Sequence, residues 1–210
     1  MNQKNGKNSL GLDACFEDVE NPIDLFRKWF AKAKESEIND PNALALATAS
    51  NTNQASVRMV LLKDLSDKGF VFYTNFNSKK SEDLKDNKNA SMCFHWKSLR
   101  RQIRITGKVE KVTDKEADSY FNSRPYKNKI GAWASSQSKI MDNRENFLKK
   151  IKELEKKYPD QNNVPRPDHW SGWRVLPSEI EFWVDVEGRV HERLNYKYKN
   201  GKWFKELLYP

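Results

Sequence analysis

Arg189, His191 and Arg193 stand at every second position near the end of IEFWVDVEGRVHER (180–193), which reads as a strand, a turn at Gly188 and a second strand. Side chains two apart on a strand share one face. Two guanidiniums and an imidazole on one surface repel each other and are costly to desolvate, so the row points to an anionic or electron-rich ligand. The plainer reading is a hairpin whose cationic face meets water while Val190 faces the core. Trp183, on the preceding strand, could wall a flat ligand or fill the core.

Other groups able to bind anions are spread along the chain. Arg58 and Lys63 bracket the apolar run Met59, Val60, Leu61 and Leu62. Strict alternation would put these two cations on opposite faces unless a bulge or the strand ends re-aim one. Tyr73 and Thr74 close a strand, Lys79 and Lys80 open a helix, and Gln102 opens a further strand. Tyr120 and Arg124 lie four apart at a helix end, and Gln137 with Ser138 sits in a polar loop. Arg and Lys beside hydroxyl donors form short charge-assisted bonds to phosphate oxygens. Cys15 and Cys93 signal neither a disulfide framework nor a zinc site, and no metal-ligand spacing is present. No glycine-rich nucleotide loop occurs.

The elements that must carry these residues are mostly strands. Residues 1 to 20 have little pattern and read as a mobile arm, with 21–210 as one domain. Asn21-Pro22 is an N-cap with proline in the first turn, and Ile23, Phe26, Phe30 and Ala33 follow at helical spacing, to an end near Ser36. Strands are predicted over Asn42 to Ser50, Ala55 to Lys63, Gly69 to Thr74, Ala90 to Trp96 and Gln102 to Val112. Four more follow at Gly172 to Pro177, Ile180 to Val186, Val190 to Tyr198 and Trp203 to Leu207. Ser78 to Lys88 reads as a short helix, Asp114 can cap another through Phe121, and Asp142 with Glu145 a later one. That later helix would bury Phe147, Ile151, Leu154 and Tyr158 and stop at Pro159. Strands in meander-like succession predict a mainly β fold, an antiparallel barrel with flanking helices.

Composition narrows the partners. With 38 Lys and Arg against 29 Asp and Glu, the formal charge of +9 favours phosphorylated metabolites, nucleic acid or acidic membrane surfaces. An RNA-binding module could use that charge with the many aromatics, but no nucleic-acid motif is present. The chain shows no signal peptide and no apolar run long enough to span a bilayer, so a cytoplasmic location without membrane contact is expected.

Taken in order, RMVLLK, FYTN, SKK, RQIRITG, YFNSRP, IGAWASSQS and IEFW-x5-RVHER resemble the pyridoxamine 5′-phosphate oxidase family, from about Asn21 to the C-terminus. The resemblance implies an FMN-binding split β-barrel working as a homodimer, with FMN in clefts between subunits. It also implies oxidation of pyridoxine or pyridoxamine 5′-phosphate to pyridoxal 5′-phosphate by hydride transfer from C4′ to flavin N5, with O2 as acceptor and peroxide released. Carried over by position, the FMN contacts are Arg58, Met59, Val60, Leu61, Leu62, Lys63, Tyr73, Thr74, Lys79, Lys80, Gln102, Gln137, Ser138, Trp183 and Arg193. Lys63, Tyr120, Arg124 and Asn128 would hold the substrate phosphate, and Arg189 and His191 the pyridine ring, where they would act in catalysis.

The chain departs from that pattern in places. Val184 stands where Gln, His or Gly is usual, Asn128 where Ser is common, and Leu207 where Arg is usual. Lys79 replaces a common Arg, keeping charge without bidentate geometry. The N-terminal residues lack the Arg-x-x-Tyr segment found in some members. A split-barrel flavin enzyme with another substrate, or a pyridoxal phosphate carrier without turnover, would share most of these features.

Overall fold

A computed structural model describes residues 7–210, and the first six residues of the expected arm lie outside it. Nine strands form one antiparallel sheet: β1 (Ala43–Ala49), β2 (Ala55–Leu61), β3 (Asp64–Ser66), β4 (Gly69–Asn75), β5 (Asn89–Trp96), β6 (Arg101–Lys111), β7 (Trp170–Val184), β8 (Glu192–Lys199) and β9 (Lys202–Leu207). The helices are α1 (Pro22–Ser36), α2 (Lys79–Asp86), α3 (Asp114–Ser123), α4 (Tyr126–Ala134) and α5 (Arg144–Lys157). The order β2-β1-β5-β6-β7-β4-β3, with β8 and β9 beyond β7, makes β7 the strand that joins two halves.

β7 keeps β6 along one edge and divides the other between two neighbours. Its first part pairs with β4, from Asn75 opposite Trp170 to Phe70 opposite Val175. Its second part pairs with β8, from Glu179 opposite Lys197 onward. The changeover falls at Leu176–Ser178, where Pro177 has no amide hydrogen to offer and β7 bulges, with Ser178 left without a partner opposite Thr106 and Gly107 of β6. Gly107 is required there because a β-carbon would lie 2.0 Å from the Leu176 carbonyl oxygen.

The inward faces of the strands and the buried face of α1 build one core. β5 alternates, turning Ala90, Met92, Phe94 and Trp96 inward. α1 starts as predicted, with the Asn21 side chain accepting from the Ile23 amide, and buries Phe26 and Trp29 against Phe70, Phe94 and Phe182. β2 differs from its neighbours: Val57, Met59 and Leu61 lie exposed along one face while Arg58 and Val60 turn to the other.

Several local expectations are corrected. Residues 7–20, expected as a mobile arm, pack on the barrel: Phe16 is fully buried with its ring 5.4 Å from Trp29, and Glu192 accepts from the Asp13 amide at 2.6 Å. The cap of α3 is Thr113, in a capping box with Glu116, and that of α5 is Asn143, because each places its side-chain oxygen on the N3 amide. α5 buries no residue fully; Phe147, Ile151, Leu154 and Tyr158 are only half-buried. α4, which periodicity did not reveal, follows α3 directly.

The strand alternation expected over Arg189 to Arg193 is also absent. Gly188 and Arg189 both adopt left-handed backbone, with φ of 75° and 63°, inside a 3₁₀ turn, and β8 begins only at Glu192. Arg189, His191 and Arg193 therefore do not share a strand face, and Val190 points outward. Among the described residues no helix is long and apolar enough to cross a membrane.

Truncating Phe16 separates a packed segment from a mobile one. Phe16→Ala is expected to lower unfolding stability by about 3–5 kcal/mol in urea denaturation; a change below roughly 0.5 kcal/mol would mean that residues 7–20 do not contribute to the core.

Candidate active site

A cleft of about 470 Å³ opens between the end of β2, β4, the start of α2, α3 and α4. It gathers Met59, Val60, Leu61, Lys63, Tyr73, Thr74, Lys80, Tyr120, Arg124, Asn128 and Gln137 from the expected residues. Lys63 joins them because β2 ends at Leu61 and the chain turns, with the Lys63 amide bonding the Val71 carbonyl oxygen at 2.8 Å. A strand end thus re-aims one of the two cations.

At one end Lys80 is nearly buried and, among the described residues, its ammonium donates only to neutral oxygens: Thr74 Oγ1 at 3.1 Å, Ser78 Oγ at 3.1 Å and Gln137 Oε1 at 3.2 Å. Burial, reinforced by the charge on Arg58, pushes its pKa down to about 8. Asn75 anchors this corner by donating to the Ser135 carbonyl oxygen, which holds the loop bearing Gln137.

At the other end Arg124 lies over the Trp170 ring at 4.7 Å, and its buried Nη1 has no hydrogen-bond partner among the described residues. Burial lowers its pKa, opposed only by Tyr120. Tyr73 and Tyr120 stack at 4.1 Å and Tyr73 and Trp170 at 5.4 Å, so the guanidinium lies on one continuous aromatic wall. Gly172, opposite Tyr73 on β7, makes that stack possible, since a β-carbon there would lie 2.8 Å from the Tyr73 ring.

The remaining expected residues stand elsewhere. Arg58 is turned toward Thr48, Leu62 enters the core, and Lys79 bonds Asp83 on its own helix. Ser138, with φ 70°, lines a neighbouring hollow that shares Gln137 with the cleft. Gln102, Trp183 and Arg193 form a row across β6, β7 and β8, and the His191 ring lies 4.6 Å from Trp183. Arg193 is already neutralised by Glu181 at 2.9 Å, and Arg189 is exposed. None of this second group lines the cleft. Trp170, Asn75, Ser135 and Lys127 line it unexpectedly; in sequence, nothing separates Trp170 from a core aromatic.

The curled antiparallel sheet with flanking helices is a split β-barrel, and a cleft holding desolvated cations without carboxylates suits phosphorylated ligands. Residues 30–158 match the family model described as pyridoxamine 5′-phosphate oxidase, and residues 170–210 match that of the pyridoxine 5′-phosphate oxidase C-terminal dimerisation region. The chain belongs to the pyridoxamine 5′-phosphate oxidase family and is an oxidoreductase. It is 59% identical over 207 residues to a pyridoxine/pyridoxamine 5′-phosphate oxidase of Pelagibacter ubique, covering 98% of this chain and 100% of that protein. The enzyme of that name from Agrobacterium fabrum is 49% identical, covering 93% and 95%. Among solved structures, PhzG from Burkholderia lata, in complex with tetrahydrophenazine-1-carboxylic acid, superposes with a TM-score of 0.88 at 29% identity, covering 98% of this chain and all of that one.

Lys80 yields a test of the cleft's electrostatics. Its pKa is lower in the folded chain than in the unfolded one, so the folded state releases the proton first and stability climbs as pH rises from about 8 toward the usual lysine value of 10.5. Below that window both states are charged and the penalty is constant. Lys80→Met is therefore expected to melt above the wild type at pH 7 in phosphate-free buffer and to lose the rise in Tm that inorganic phosphate gives the wild type. A lower Tm with an intact phosphate response would contradict this.

Proposed function

We propose that the chain oxidises pyridoxine 5′-phosphate and pyridoxamine 5′-phosphate to pyridoxal 5′-phosphate with FMN as cofactor and O2 as final acceptor, releasing H2O2 and, from the amine, ammonia. The observation that carries this reading is a single cleft with two separate cationic ends, Lys80 with Thr74 and Gln137, and Arg124 with Lys63, Tyr120 and Asn128. A phosphorylated flavin and a phosphorylated substrate need two such ends. The orphaned Nη1 of Arg124 fits a phosphate oxygen as its missing acceptor.

FMN, when bound, supplies the acceptor for the hydride that leaves the substrate's C4′ carbon. The chain's own task is binding and orientation. Lys80 and Thr74 would hold the flavin's phosphate while Met59, Val60 and Leu61 present an apolar strip beside it. Arg124, Lys63 and Tyr120 would fix the substrate's phosphate, and Asn128 can donate through its amide. Tyr73 stays a neutral phenol, since burial pushes its pKa up to about 12.

A second copy completes this site in our reading. Gln102, Trp183, Arg193, Arg189 and His191 stand outside the cleft of their own chain, and residues 170–210 match a dimerisation region. Val57 and Met59 on β2, with Phe204 and Leu207 on β9, leave apolar surface for such a partner to cover. Arg189 and His191 of the partner copy would then clamp the pyridine ring and bias its protonation. With Cys15 and Cys93 both free, the reducing cytoplasm is the compartment we assign.

Purified protein is expected to be yellow or to become so with FMN, and to form aldehyde from both vitamers while consuming O2. Arg189→Ala should reduce turnover at least about 100-fold with flavin affinity unchanged, and Arg124→Ala should raise KM for pyridoxamine phosphate on the order of 100-fold. A flavin-loaded protein that leaves both vitamers untouched would assign the barrel to another substrate.

A further inference from the structure

Asp83 is a carboxylate buried on α2 that no step above uses; its side chain is 2% exposed. It accepts from Thr48 Oγ1 at 2.7 Å and from the Lys79 ammonium one turn earlier on the helix. The Thr48 hydroxyl accepts in turn from Arg58 Nη1 at 2.7 Å, and Arg58 Nη2 lies 4.0 Å from the same Asp83 carboxylate. A hydroxyl has one proton to give, so the direction of this chain is set: Arg58 donates to Thr48, and Thr48 donates to Asp83. Burial pushes the Asp83 carboxyl up, but the bonds from Lys79 and Thr48 and the charges of Lys79 and Arg58 outweigh it and hold its pKa below the usual carboxylate range.

Two consequences follow for the cations near the cleft. Arg58 is held against β1, where it also donates to the Leu46 carbonyl oxygen at 3.1 Å, rather than being free to swing. Lys79, which resemblance places on the cofactor, is engaged by Asp83 and does not line the cleft. Arg58, Lys79 and Lys80 with Asp83 keep two net positive charges, the complement of a phosphate dianion.

We propose that Asp83 is a positioning residue for the cofactor's phosphate: through the Thr48 hydroxyl it aims Arg58, while its other carboxylate oxygen pairs with Lys79. This rests on the cofactor reading above together with the resemblance that places Arg58 on FMN; in its own chain Arg58 stands behind the cleft, close enough to lower the pKa of Lys80. Lys79 is then the counter-ion of Asp83. Neither Thr48 nor Asp83 lines the cleft, so both act through Arg58.

The test is the dissociation constant of FMN, read by quenching of flavin fluorescence when protein stripped of flavin is titrated. Thr48→Val cuts the relay without changing charge or size and is expected to weaken FMN binding about tenfold. Thr48→Ser keeps the hydroxyl and should restore binding to within about threefold of wild type, a rescue that a packing role for the Thr48 methyl would not allow. In an Arg58→Ala background, Thr48→Val should weaken binding no further, because both act through one guanidinium. Thr48→Val binding like wild type, Thr48→Ser binding as poorly as Thr48→Val, or losses that multiply in the double variant would overturn the relay. If Arg58→Ala itself binds FMN like wild type, the cofactor reading fails at that residue, and the positioning role fails with it. Asp83→Ala leaves Arg58 and Lys79 without their shared anion, so the charge-neutral Thr48 pair decides the matter.

Discussion

Desolvated positive charge without a carboxylate partner is the constraint around which this molecule is arranged. Burying a cation is costly, and elsewhere the chain pairs several of its partly or fully buried guanidiniums with carboxylates. Arg174 is paired with Glu110 and Glu116, Arg166 with Asp114 and Asp118, and Arg193 with Glu181. Lys80 and Arg124 are treated differently: one is surrounded by hydroxyl and amide oxygens, the other laid on an indole. Fixed neutral dipoles and ring faces lower the cost of these charges without cancelling them, so an arriving anion is met by donors already in place.

The barrel supplies the rigidity this needs. β7 carries Trp170 at its start and Trp183 near its end, so one continuous strand links the aromatic wall of the cleft to the second group of candidate residues. Its division between β4 and β8 falls at Pro177, and Gly69, Gly107 and Gly172 give three close approaches that a side chain would block. Functional groups on strand ends and first helical turns are thereby held by elements whose cores are packed.

The strands were legible from the sequence because alternation survives wherever one face is buried, as in β5 and β6. So was α1, whose Asn-Pro start and apolar spacing agree. Alternation misled at Arg189, since two successive left-handed residues end its meaning and nothing in Val-Glu-Gly-Arg-Val distinguishes a two-residue hairpin from a 3₁₀ turn. The N-terminal residues looked patternless because Leu12 and Phe16 are held singly, by contacts with the barrel, not by a repeat. Cleft residues came from ordered motifs, whereas Trp170 and Asn75 needed the fold, their roles arising from strand register and a loop contact.

The most direct measurement is a crystal structure of the protein with FMN and pyridoxal 5′-phosphate. The account predicts two phosphate groups in each cleft, one within hydrogen-bond distance of Lys80 Nζ and the other of Arg124 Nη1, with Trp183 and Arg193 reaching the flavin from a second copy. A flavin bound away from Lys80, or an Arg124 guanidinium still lacking an acceptor in the loaded site, would contradict it.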